Sequence, residues 1–194
     1  MWWAALLNTI LGAFSSGVAA ATGSYESIAT ATASGSATTL TFTSIPSTYK
    51  HLQIRGISKN SGTGSAASTF TAIFNSDNSA NYAWHYIDAS GTAATASGGA
   101  SDTAITLRRG SSTNNASYTN MFGSIIIDVH DYASTTKNKT VRYIAGTDYN
   151  NTSGALALGS NLWMSTNAIT SITLTSGSGN WVAGTTFALY GIKG

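Results

Sequence analysis

Three histidines, seven carboxylates and an abundance of hydroxyls are the reactive groups of this 194-residue chain. The histidines are His51, His85 and His130. Only His130 has acidic neighbours, in Asp128-Val129-His130-Asp131. In a strand, Asp128 and His130 would share a face. A Ser-His-Asp site also needs an exposed nucleophile on a strained turn, and no G-x-S-x-G pattern accompanies the pair. The plainer reading is a polar strand end beside a turn at residues 132–136. Glycoside hydrolysis needs two carboxylates flanking a cleft. Glu26 is the one glutamate, and nothing nominates a pair. Asp77, Asn78, Asp128, Asp131 and Asp148 offer oxygen ligands suited to Ca²⁺. None has EF-hand spacing, and Asp and Asn are equally turn formers. No H-E-x-x-H, P-loop or dinucleotide motif occurs, and there is no cysteine. The expectation is a non-enzymatic protein without metal or cofactor.

The elements that would carry these residues read as β-structure. Only 8% of residues are charged, against about 25% in an ordinary soluble domain. Ser, Thr, Gly, Ala and Asn take their place, a composition of strands and turns. Long exposed helices would need more Glu, Lys and Arg. Aromatic residues make up 10% and the net charge is +2, which argues against disorder. The basic residues are scattered, so nucleic acid is not an expected partner.

After Gly23 short apolar runs alternate with turn clusters. Strands are expected at 25–33, 39–45, 51–55, 70–74, 82–87, 105–107, 122–129, 141–145, 156–163, 170–175 and 185–192. The run Ile125-Ile126-Ile127 belongs at a sheet centre. Residues 89–102 and 59–68, rich in Ser, Gly, Thr and Ala, read as surface loops. The fold class is therefore all-β, a jelly-roll-like antiparallel β-sandwich over residues 24–194. Tyr82, Trp84 and Tyr86 alternate in one strand. Facing inward they would form a core stripe, the favoured reading. Facing outward they could stack on sugars.

Residues 1–23 differ from the rest. Trp2, Trp3, Leu6, Leu7, Ile10, Leu11 and Phe14 form a dense apolar run, with Trp3, Leu7, Ile10 and Phe14 on one helical face. A signal peptide would end at Val18-Ala19-Ala20-Ala21, but no Lys or Arg precedes Lys50. A membrane span needs about 20 apolar residues, and this run is shorter. Of the three readings, the favoured one is a short hydrophobic helix that attaches the body to a partner or to neighbouring copies. A heptad-like seam favours three copies.

Several blocks of the body resemble a poorly characterised family of tailed-phage and prophage virion proteins. They are Ser24-Tyr25-Glu26-Ser27-Ile28-Ala29-Thr30, Ile45-Pro46-Ser47-Thr48-Tyr49-Lys50-His51-Leu52-Gln53-Ile54-Arg55-Gly56, Phe74-Asn75-Ser76-Asp77, and Phe187-Ala188-Leu189-Tyr190-Gly191-Ile192-Lys193-Gly194. The resemblance covers residues 24–194 and brings no catalytic residues with it. It implies a virion structural protein, foremost a tail-fibre or appendage part, with capsid decoration as the alternative. Its partners would be other virion proteins and further copies of itself, with a host surface glycan as a candidate ligand.

Overall fold

A computed structural model describes residues 23–64, 67–150 and 154–194. The hydrophobic helix expected within residues 1–23, with all seven of its anchor residues, lies outside the described residues. The described chain is all-β. Its strands are β1 (Tyr25–Thr32), β2 (Thr39–Phe42), β3 (His51–Asn60), β4 (Ala67–Phe74), β5 (Tyr82–Ser90), β6 (Ala93–Asp102), β7 (Ile105–Thr113), β8 (Gly123–Val129), β9 (Lys139–Asp148), β10 (Gly154–Trp163), β11 (Ile172–Thr175) and β12 (Thr186–Ile192). The helical element among the described residues is one 3-10 turn at Ala116–Tyr118, capped by the Asn115 side chain.

The strands form one open, mixed sheet that branches at β3. One arm runs β1–β12–β3–β8–β9–β10–β5–β6, antiparallel throughout. The other runs β2–β11–β4–β7, also antiparallel. A short parallel ladder, Lys59–Asn60 against Ser112–Thr113, joins them. The second arm lies across one face of the first. The Arg108 amide of β7 donates to the Tyr143 hydroxyl of β9 at 3.2 Å, although these strands share no ladder. Phe70 of β4 meets Phe187 of β12 and Trp181, with ring centroids 5.6 and 5.3 Å apart. The core sits between the arms.

Alternation sets which residues enter it. In β9, Val141, Tyr143 and Ala145 are buried while Thr140, Arg142 and Ile144 are exposed. At the other end of the core, Phe74, Tyr82 and Trp163 pack together, with Tyr82 and Trp163 stacked at 16°. Close approach demands glycine at Gly56, where a β-carbon would come within 2.3 Å of the Phe187 ring.

Two expectations change. Residues 89–102 are not a loop. After a two-residue turn in which Gly91 takes φ +57°, they return as the ten-residue strand β6. Small unbranched residues gave no strand signal, and pairing to β5 decided the outcome. The loop expected at 59–68 shrinks at both ends, because β3 runs on to Asn60 and β4 begins at Ala67.

Candidate functional site

The middle strands of the large arm, β8, β9, β10 and β5, have one face toward the core and one toward solvent. The solvent face of these strands is apolar. Register places Ile126 opposite Ile144, Ile144 opposite Leu158, Leu158 opposite Ile87, and Ile87 opposite Ala96. Four large aliphatic side chains on four successive strands thus form one unbroken row, extended by Ala96 on β6. Leu156 and Ile57 lie in the next row along the strands. All six are exposed, from 38% for Ile126 to 61% for Ile87.

The row beside it is polar: Gln53, Asp128, Arg142, Ser160 and His85 are successive cross-strand partners. Gln53 donates to Asp128 and accepts from Arg55, both at 2.7 Å. The Arg55 guanidinium also lies over the Tyr25 and Tyr190 rings at 5.7 and 5.6 Å. The result is an aliphatic ladder with a hydrogen-bonded polar margin. Two shallow grooves follow it, one floored by Ile125, Ile126 and Ile144, the other by Ile87, Leu158 and Gly159. Contiguous apolar surface with a polar rim is of the kind that can take up a protein, a membrane or an apolar ligand.

Strand-by-strand reading missed this ladder because its members come from four separate strands. One signal was present. Ile125-Ile126-Ile127 and the Leu156/Leu158 pair make both faces of their strands apolar. In β10 the usual size order is inverted, with Ala155 and Ala157 inside and Leu156 and Leu158 outside.

The residues singled out for chemistry are dispersed or structurally engaged. Tyr82 is fully buried. Its hydroxyl donates to the Asp77 carbonyl at 2.8 Å and accepts from the Phe74 amide, and burial pushes its pKa up to about 12. It offers no face to a sugar. Trp84 and Tyr86 are half-buried on the core side of β5, stacked at 5.1 Å and 9°. Arg108 covers Tyr86 at 4.7 Å, the Trp84 indole N–H donates to Asp102, and the ring of Trp84 lies over Gly99. The stack ends on Asp88, which is buried and accepts from Arg108 at 2.6 Å, from Arg109 at 3.0 Å and from Thr95. Burial works to raise the Asp88 pKa, but the Thr95 hydroxyl and the two guanidiniums outweigh it and leave the carboxyl lowered.

Asp128 and Asp131 part company. Asp128 belongs to the outer polar row. Asp131 sits beyond β8 between Lys137 and Lys50, at 2.7 and 2.8 Å, and these two ammonium groups hold it well below the usual carboxylate range. The Asp131 amide donates to His51 Nδ1 at 3.0 Å, and the His130 ring packs edge-on against His51 at 5.2 Å. This is a folded strand end, closed by the Ser134 amide on the Asp131 carbonyl at 2.9 Å and the His130 amide on the Thr140 carbonyl at 3.0 Å. Asp77 accepts from the Ser79 amide, Asn81 and the Trp163 indole, which fixes the β4–β5 turn and lowers its pKa strongly. Among the described residues no three His, Asp or Glu side chains converge as a metal ion would require. No helix of the described residues is long and apolar enough to cross a membrane. Comparison with family models, curated proteins and solved structures finds no match to this chain.

Proposed function

We propose that this chain is a non-enzymatic structural component of a phage virion, a tail-fibre or appendage part. Residues 1–23 attach it and the β-body is displayed outward. The observation that carries the assembly half of this reading is the aliphatic ladder Ile126–Ile144–Leu158–Ile87, an exposed apolar row on a chain that is otherwise poor in charge. A docking surface with few ions desolvates cheaply. The virion half rests on the resemblance of residues 24–194 to phage and prophage proteins.

The strand pairing supports the finer reading of the body as a jelly-roll-like sandwich. Setting aside the hairpins β5–β6 and β9–β10 leaves eight strands. They pair as β1–β12–β3–β8 and β2–β11–β4–β7, so successive strands alternate between two four-stranded sheets except at β4 and β7, which are neighbours in the second. That is the wrapping order of a jelly roll. The two hairpins add to the β8 edge and widen one sheet, and the ladder lies mainly on this added part.

A quantitative mass-spectrometric inventory of purified particles tests the proposal. The chain is expected in the particle at tens of copies or fewer. Hundreds of copies would move it to capsid decoration, and absence from the particle would overturn the virion reading.

A further inference from the structure

The ladder ends at β6, and β6 is an open edge. Among the described residues it pairs with β5 alone. Nearly all of its residues are exposed on both faces, and its sequence, AATASGGASD, holds one charge, at the last position, and no proline. Because backbone N–H and C=O groups alternate sides along a strand, every second residue of β6 directs its pair away from β5. Exposed edges invite pairing with another chain, so proteins blunt them with charges, bulges, prolines or short length. The other edges follow that rule: β7, which meets β3 only at Ser112 and Thr113, carries Arg108 and Arg109 and a register shift against β4. β1 carries a bulge between Ser27 and Ala29 and the ion pair Glu26–Lys193. β2 has four residues. β6 has ten residues, and its one register shift lies at the far end, beside Tyr82.

We infer that β6 pairs antiparallel with β6 of a second copy, joining two large arms into one continuous sheet across a two-fold axis. An antiparallel pair is self-complementary, so one edge suffices for both partners. Small side chains let two such strands approach without clash, and the lone Asp102 lies far from the strand centre, so like charges need not meet. A ten-residue pair makes about ten backbone hydrogen bonds, the number an ordinary protein interface carries in total. The pairing would also anchor the hairpin β5–β6, since a hairpin held by its own turn is marginal in water. Two ladders would then lie side by side on one extended face. This contact deepens the assembly reading and is separate from any seam formed by residues 1–23.

The test uses the full chain. Sedimentation velocity is expected to give twice the mass of the edge-blocked variants. Ala96→Pro and Ser97→Pro are both made, because one of two adjacent residues directs its N–H outward and that variant keeps the far-ultraviolet spectrum of the parent. The expected result is at least a tenfold rise in the dissociation constant for that variant. Hydrogen exchange is expected to slow at alternate β6 amides in the parent and to return to open rates in the variant. The ladder variant Ile144→Asp/Leu158→Asp should leave this protection in place. Fast exchange at the outward β6 amides of the parent would overturn the inference. So would an assembly that the ladder variant dissolves and the proline variants leave intact, although the ladder reading would then stand.

Discussion

At the residue scale, the buried polar groups are the ones whose removal is most informative. Asp88 is nearly inaccessible and is the shared counter-charge of Arg108 and Arg109, which are themselves partly exposed. Asp88→Ala leaves two guanidiniums facing each other without a counter-charge. It should destabilise the protein by about 2–3 kcal/mol, at the lower end for a charge pair because solvent reaches the arginines. Urea unfolding checks this, and Asp88→Asn should recover part of the loss through the Thr95 contact. His51 makes a second test. Burial, then the neighbouring His130, lower its pKa below the ordinary histidine value. The folded state therefore prefers neutral imidazole, which accepts from the Asp131 amide at Nδ1. Stability from this group is present above the unfolded histidine pKa, near 6.5, and is lost as pH falls through the lower folded value. The midpoint of thermal unfolding should thus drop as pH is lowered from about 6.5 toward 5. His51→Gln should flatten that part of the profile. An unchanged slope in the variant would assign the pH dependence to other groups.

At the element scale, the large arm divides its work between its faces. The inner face of β8, β9 and β10 builds the core with Ile125, Ile127, Tyr143 and Trp163. The outer face of the same strands carries the ladder. Substitutions outside should therefore separate assembly from folding. Ile144→Asp/Leu158→Asp is expected to change monomer stability by less than about 1 kcal/mol, as for exposed positions generally. It should reduce incorporation of the chain into particles at least tenfold, read by mass spectrometry of the purified particle, while the free chain sediments as the parent does. Loss of the folded spectrum in this variant would mean that the ladder belongs to the core of one copy. At this scale the sequence was most legible where size and alternation agreed, as in β9 and β12. It was least legible in β6, where Ala, Gly and Ser carry no periodic signal and only the partner strand supplies order.

At the scale of the whole molecule, the chain closes on itself. β12 pairs with β1 at one side and β3 at the other, so the last strand joins the first described strand to the middle of the sheet. Phe187 is the centre of that closure, fully buried against Phe70 and Trp181 and lodged in the space that Gly56 leaves. Phe187→Ala should cost about 3–5 kcal/mol, as for other buried aromatics. A single cooperative transition at a lower denaturant midpoint is the expected result. Two separate transitions would show that the hairpin extension and the closed part unfold independently. Such non-local pairing also implies refolding in milliseconds to seconds, the range of β-rich domains with high contact order.

The sequence by itself determined the all-β class, most strand positions, the inward stripe at Tyr82 and the lack of a recognisable catalytic motif. These follow from local quantities: residue type, spacing of two, and turn chemistry. It could also nominate Asp128 and His130 as neighbours, but not what each would touch. Register and the crossing of the arms decided that, turning Asp128 outward to Gln53 and placing His130 against His51. The ladder and the open edge lie beyond any single segment. Each strand contributes one residue to the row, and hydrogen bonding between strands far apart in the chain brings those residues side by side. Only tertiary structure could assemble that surface, because its continuity is a property of pairing and no one strand possesses it.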